Sequence, residues 1–305
     1  MQLESEDEII EKIKMEVSSD NLENLYLIGG SLRLLGRCFM DYNKSIIKNL
    51  HNQVIEPNLF LEFLDQLENL QKFQRFFAQY KVNKYAIIVS KALIKYFKPK
   101  NLVISTFGLK EGVRFNILSK EEQRKDIVFE RCIDFTKTFA NEISVESYKN
   151  LFLSLGFDVN EKQIKLFSIA LILSQYTRHI DKNHKADWIV SFILTTDIPF
   201  DQKQRAALIV AIANSLSSKA NIIPKSLRKL LSREEYSFSR IIGSLLKIAV
   251  IIDGPLLSKP SFGIKTKGNF LEISTQHVLP KIVFDKVCEQ LKNISFMKKQ
   301  LNSAR

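Results

Sequence analysis

Leu25-Tyr26-Leu27-Ile28-Gly29-Gly30-Ser31-Leu32-Arg33-Leu34-Leu35-Gly36-Arg37 divides into three parts. Leu25 to Ile28 is a short apolar run suited to a buried strand, Gly29 and Gly30 allow a tight turn, and the apolar-periodic remainder suits a helix. Ser31 falls at the position of a helix N-cap, where a hydroxyl accepts from an otherwise unpaired backbone N–H. A strand that turns through glycines into a helix N-terminus offers backbone donors and the positive end of a dipole, which favours phosphate.

A second unit of the same kind lies farther along. Lys84 to Phe97 has helical spacing, with Ala86, Ile87, Val89, Ser90, Leu93 and Ile94 on the face expected to pack on a sheet, and Pro99 ends it. Asn101-Leu102-Val103-Ile104-Ser105 reads as a buried strand, Thr106-Phe107-Gly108 as a turn, and Leu109 to Phe115 as the start of another helix. Before these, Glu4 to Val17 is helical with acidic residues in its first turn. Pro57 opens a helix whose stripe is Leu59, Phe60, Phe63, Leu64 and Leu67, and Asn43 to Val54 is ambiguous. Two strands do not complete an α/β sheet, so the N-terminal sheet is expected to be partial, with Leu27, Ile88 and Ile104 in an incomplete core.

From Ser119 the strand pattern stops. Ser119-Lys120-Glu121-Glu122 resembles a capping box. Helical spacing covers Ile127 to Phe139, Val145 to Leu155, Lys162 to Tyr176, Ala186 to Leu194, Asp201 to Ser215, Pro224 to Leu231 and Ser239 to Ile252. Phe262 to Lys265 and Phe270 to Ser274 flank Thr266-Lys267-Gly268-Asn269 as a hairpin, and Lys281 to Lys292 forms a last helix before a frayed polar end.

Bulk composition narrows the classes. A chain of 305 residues has room for two domains, and 45% hydrophobic with 26% charged residues describes a globular protein. With 10 Gly and 7 Pro it should be mainly helical. No apolar run approaches the roughly 20 residues of a membrane span; the longest, Ile241 to Ile252, contains Lys247. The acidic N-terminus lacks the apolar core of a signal peptide. Cys38, Cys132 and Cys288 fit neither a disulfide scaffold nor a zinc pattern, so a cytoplasmic location is expected. A formal charge of +12 attracts polyanions without identifying one.

Few residues suggest chemistry. No Walker, GxGxxG or GxSxG fingerprint is present. His179, Asp181, His184 and Asp187 are the one cluster of imidazole and carboxylate, in a pattern better suited to an inter-helix loop than to a metal site. His51, a lone histidine beside Val54 and Ile55, reads as a packed or surface residue and not as a ligand, and neither Glu111 nor Asp126 is marked as a general base.

The order of the segments nevertheless resembles one family. Leu25 to Leu35 looks like the Val-Gly-Gly-Ser-Trp-Arg-Ala-Leu segment of the Ppx/GppA exopolyphosphatases. Tyr85 to Tyr96 is similar to the helix that follows their Arg-Ala-Asp stretch. Val103 to Val113 resembles their Val-Ser-x-x-Gly-Leu-Arg-Glu-Gly-Leu signature. Leu173 to His179, Ala207 to Ala211 and Ile241 to Leu246 follow helices of the family's HD-like domain.

The resemblance implies a partial actin-like (ribonuclease H-like) lobe over residues 1–120, and a mostly α-helical HD-like domain with a small β-hairpin over 121–305. Gly29, Gly30 and Ser31 would bind phosphate, and Gly108, Lys110, Glu111 and Gly112 would be the second-lobe signature. Magnesium is expected from the family alone, and the ligand would be polyphosphate or guanosine pentaphosphate, both ending in the same phosphoanhydride. The family's N-terminal lobe, with its Asp-x-Gly-Ser loop, catalytic Glu and Asp-Ile-Gly-Gly-Gly-Ser turn, has no counterpart here, so no catalytic residue is assigned. Lys110 stands for the signature arginine, and Gln175 and Thr177 stand for an aspartate and a glycine of the helical domain.

The chain is thus expected to hydrolyse terminal phosphoanhydrides only beside a separately encoded N-terminal lobe. The alternative is a non-catalytic remnant or adaptor binding polyphosphate, nucleotide or a protein. A homodimer is a further expected assembly, and a metal hydrolase centred on the helical domain is the weakest reading.

Overall fold

The computed structural model describes residues 5–18, 22–69, 80, 82–137, 144–216, 223–254, 257–267 and 270–303. Most of them are helical, and the chain divides into two compact units. One comprises Met1–Arg124 with Pro199–Gln202, the other Lys125–Ile198 with Lys203–Arg305.

The first unit is built on a three-stranded sheet of β1 (Asn24–Leu27), β2 (Gln53–Ile55) and β3 (Asn101–Ile104), in the order β1-β3-β2. β1 runs parallel to β3, with Leu27 opposite Ile104, and β2 runs antiparallel, with Ile55 opposite Leu102. These four residues share a face and are buried. On the opposite face Tyr26, Val103 and Val54 are aligned, and of these only Val103 is buried. β2 supplies the strand that Asn43 to Val54 left ambiguous. It begins after a turn in which Asn52 adopts φ 57° and donates its N–H to Ile104 O.

Helices α1 (Glu6–Glu16), α2 (Gly30–Tyr42), α3 (Pro57–Asn69) and α4 (Lys84–Phe97) accompany the sheet. Leu35, Phe60, Phe63, Leu64, Ile87 and Ile94 close over the Leu27/Ile104 face. Leu59, expected on the buried stripe of α3, is exposed instead, and Ile88 of α4 is only half-buried. The α3 N-terminus is satisfied by Glu56, whose carboxylate accepts from Asn58 N (3.0 Å) and Leu59 N (2.7 Å). Lys91 is buried in α4 and held by Asp65 of α3 at 2.6 Å, with Glu6 of α1 3.9 Å away. A buried ammonium is tolerable only with such partners.

One contact sets how close α2 comes to the sheet. A Cβ added to Gly36 would stand 2.2 Å from Ile104 Cδ1 and 3.1 Å from its Cγ1, so any larger residue here requires the Ile104 side chain or the helix to shift. Gly36 is thus a packing residue in mid-helix, at a position where helix propensity alone would favour alanine.

After β3 the chain forms α5 (Leu109–Ile117) and the single turn α6 (Lys120–Gln123), whose Ser119/Glu122 capping box is present as expected.

The second unit comprises α7 (Ile127–Thr136), α8 (Val145–Leu153), α9 (Glu161–Tyr176), a 3-10 turn (Thr177–His179), α10 (Lys185–Thr195), α11 (Gln202–Leu216), α12 (Lys225–Arg228), α13 (Arg233–Asp253), strands β4 (Phe262–Lys267) and β5 (Phe270–Thr275), and α14 (Lys281–Ser303). α9 and α11 are buried all round over Phe167–Gln175 and Arg205–Ala213, as helices at the centre of a bundle are. Arg205 is completely buried, and its guanidinium donates to Ile193 O near the end of α10 (2.5 Å) and to Ile198 O (2.8 Å). Tyr148 of α8 donates to Asp253 Oδ2 (2.9 Å), and Asp253 Oδ1 accepts from Ser261 N (3.0 Å), tying α8, α13 and the approach to β4 together. Burial, then the Asp253 carboxylate, raises the Tyr148 hydroxyl above the ordinary tyrosine pKa.

Two elements are longer than expected. α13 begins at Arg233, where Ser232 and Glu235 form a capping box, and α14 continues to Ser303 instead of fraying after Lys292. Residues 138 and 139 of the first expected helix, and 268 and 269 of the hairpin turn, lie outside the described residues.

Gly36→Ala should lower the urea midpoint by the equivalent of about 1–3 kcal/mol, the usual cost of overpacking. Adding Ile104→Val, which removes the opposing methyl, should recover part of the loss; an unchanged midpoint in Gly36→Ala would show that α2 is not constrained here.

Candidate functional site

Parallel neighbours β1 and β3 end on the same side of the sheet, and each runs directly into a helix. Crevices beyond the carboxyl ends of parallel strands are where such sheets bind ligands. Ser105 N donates to Leu27 O (3.1 Å), extending the ladder to the mouth of both turns.

The first turn pivots on Gly29, with φ 109° and ψ 162°, a region that only glycine occupies readily. Gly29 is the N-cap of α2: its carbonyl accepts the first helical bond, from Arg33 N at 3.0 Å. Ser31 is therefore not the cap. It lies inside the first helical turn and is exposed, because the glycine conformation starts the helix two residues earlier than the hydroxyl pattern implied. Ile28, assigned above to a buried strand, is half exposed and follows the last residue of β1. No side chain caps α2, and no acidic residue occupies its first turn.

The second turn is capped. Gly108 precedes α5, and Glu111 Oε2 accepts from Gly108 N at 2.7 Å. That bond, then one from Glu111's own N–H, then the charges of Arg114 and Arg33, hold the Glu111 carboxyl below its ordinary pKa. A carboxylate thus already sits on the positive end of α5. Lys110 and Gly112 are exposed on the helix, and nothing lies within 4 Å of a Cβ built on Gly112.

Arg33 joins the two turns, and His51 braces the second. Arg33 of α2 donates from Nη1 to Thr106 O (2.6 Å), and His51 Nδ1 accepts from Thr106 N (3.1 Å). His51 is buried with its ring centre 4.3 Å from that of Phe107. Accepting at Nδ1 puts the proton of a neutral imidazole on Nε2. Arg33 lay inside the opening stretch without a role, and His51 read as an isolated histidine; what reveals them is a contact across 73 and 55 residues respectively.

Gly29, Gly30 and Ser31 thus form one uncapped helix start beside a second start, at Gly108, that carries its own carboxylate. No family model matches the chain, and no curated protein matches it. What the turns can do therefore follows from their own chemistry: an uncapped start such as that of α2, with Arg33 in its first turn, suits an anion.

The His179, Asp181, His184 and Asp187 group is local turn structure. Asp181 accepts through its carboxylate from Asn183 N (2.9 Å) and through its carbonyl from His184 N and Lys185 N (3.0 Å each), leading into α10, whose first turn holds Asp187. Among the described residues no three His, Cys, Asp or Glu side chains are gathered to hold a metal ion. Gln175 and Thr177 are buried, and Thr177 Oγ1 donates to Ser174 O (2.8 Å). No helix among the described residues is long and apolar enough to cross a membrane.

Charge is unevenly distributed. Residues 1–124 carry 18 Lys and Arg against 16 Asp and Glu, whereas residues 125–305 carry 27 against 17. The basic excess therefore belongs to the helical part, where Lys225, Arg228, Lys229 and Arg233 are all exposed within nine residues and Arg228 stacks 4.5 Å over the Tyr236 ring.

Gly29→Ala should cost about 1–3 kcal/mol in chemical denaturation because its backbone conformation is closed to a Cβ. Gly112→Ala, in open mid-helix, should stabilise by about 0.5–1 kcal/mol. Because its pKa is depressed on folding, Glu111 contributes stability above its unfolded value of about 4.3, and that contribution disappears as pH falls through the lower folded value. The Gly108 amide resonance should follow this titration in the native protein and lose it in Glu111→Gln.

Proposed function

We propose that the chain is the second-lobe and helical part of a phosphoanhydride hydrolase of the exopolyphosphatase/guanosine pentaphosphate phosphohydrolase type, active only when complemented by the N-terminal lobe of that type. On this reading residues 1–120 are a partial actin-like lobe and residues 121–305 an HD-like domain. The observation that carries the reading is the pair of strand-to-helix turns on β1 and β3, one of them an uncapped helix start, joined by Arg33 through Thr106, which His51 also holds. Such a start neutralises phosphate oxygens with backbone N–H groups, which suits one wall of a cleft for a terminal phosphate.

The other requirement of phosphoryl transfer, a positioned nucleophile, has no candidate at these turns. Their one carboxylate, Glu111, already accepts from Gly108 N. The same donor set does not fit magnesium, an ion that wants several hard oxygen ligands, so no step through a metal is assigned to this chain.

The purified chain should release no phosphate from polyphosphate or guanosine pentaphosphate. A phosphate-loop lobe of this family, added as a separate polypeptide with magnesium, should restore release, and Gly29→Ala should reduce it. Turnover by the chain alone would overturn the reading.

A second reading, a non-catalytic adaptor, is favoured by the exposed Lys225, Arg228, Lys229 and Arg233 cluster in the basic helical part. It expects polyphosphate binding that persists in Gly29→Ala, is lost when these four residues are changed to Glu, and never leads to hydrolysis.

A further inference from the structure

Among the described residues β1 is hydrogen-bonded along one side only. The carbonyls of Glu23 and Leu27 accept from Asn101 N (3.0 Å) and Ser105 N (3.1 Å), so alternate residues of β1 turn their backbone groups toward β3. By the strand's two-residue period, Asn24 and Tyr26 turn theirs to the outer side. Edge strands are ordinarily blunted by lysine, proline, a bulge or a covering element. Asn24 to Ile28 contains no lysine or proline, and Tyr26 is 55% exposed.

At its C-terminal end this edge leads to Ile28, which neighbours the start of α5, a helix with exposed apolar residues of its own. Ile28 is half exposed, and its Cγ2 lies 3.8 Å from where a Cβ on Gly108 would stand. Beyond Gly108, Leu109, Val113 and Ile117 recur every four residues along one stripe of α5 and are 83%, 51% and 78% exposed. α5 has nine residues and buries none of them. A helix that short is marginal in water by itself, and packing of its apolar face is what ordinarily stabilises it.

We infer that the outer edge of β1 and the Leu109/Val113/Ile117 stripe form one docking surface for an extended strand of a second, different polypeptide. The backbone groups of Asn24 and Tyr26 would pair with that strand, and the stripe would pack on its apolar side chains. Charge determines the occupant. Lys110 and Arg114, both exposed, follow the stripe one position on, so the partner strand carries acidic residues there. A second copy would present the same basic flank, Lys110 and Arg114, where an acidic one is called for. Identifying this partner with the lobe invoked above rests on the proposed function; the surface does not.

The test uses the full chain and a fluorescein-labelled strand peptide, acetyl-Glu-Val-Thr-Val-Thr-Val-Glu-amide, read by anisotropy. A control peptide has proline in place of its central valine. The first peptide should bind and the control should not. Tyr26→Lys at the edge and Val113→Asp on the stripe should each weaken binding by about tenfold or more. Circular dichroism should be unchanged in Val113→Asp, whose side chain is exposed. Sedimentation of the chain alone should give a monomer. No binding at about 1 mM peptide, or binding unaffected by both substitutions, would overturn the inference. So would a dimer that Val113→Asp dissociates, which would make the occupant a second copy. Peptide binding without phosphate release in the lobe-addition assay would retain the surface and remove only the proposed activity.

Discussion

The approach of α2 to β3 at Gly36 is the constraint on which the N-terminal unit depends. With no Cβ in the way, the helix lies against Ile104, and Leu35 and Cys38 beside it are sealed into the core. Arg33, on the preceding turn of the same helix, can then reach Thr106 O, which fixes the second strand-to-helix turn relative to the first. Raising the helix by the width of a methyl group would loosen that bond before it disturbed the strands. Packing thus governs the geometry of a polar site several ångströms away.

The two turns differ electrostatically although their sequences look alike. α5 carries a carboxylate on its positive end, supplied by Glu111, whereas α2 begins on a bare glycine with no acidic residue in its first turn. An external anion is therefore better accommodated at α2, and the residues around Gly108 serve mainly to build and cap a helix. Exposed apolar residues on that helix and an open strand edge beside it make the sheet half-covered: the Leu27/Ile104 face is closed by helices, while Tyr26 and Val54 face outward.

The helical unit obeys different rules. Its central helices, α9 and α11, have almost no polar face, so burial all round replaces amphipathic patterning as their determinant. Several polar groups in that interior are paired: Arg205 on two carbonyls, Tyr148 on Asp253, Thr177 on Ser174 O. The net basic charge belongs to this unit, while the sheet unit is near neutral. Any polyanion attracted by overall charge meets the helical surface first.

Local periodicity and punctuation in the sequence by themselves determined the elements: a helix from Lys84 to Phe97, a strand at Asn101, a capping box at Ser119, and a helix opened by Pro57. These follow from interactions within a few residues, which spacing encodes directly. The extent of α14 is also in the sequence, beyond the end expected at Lys292: its buried stripe Val287, Leu291, Ile294 and Met297 continues at helical spacing among polar residues that resemble a frayed end. The cap of α2 was not legible, since Gly29 caps through a backbone angle and Ser31 advertises a hydroxyl that is not used. Only the tertiary structure decided which glycine is needed for packing, that β2 joins the sheet, and that Arg33 and His51 converge on Thr106. Each of those depends on atoms brought together from distant parts of the chain, and no local pattern of residues records such a distance.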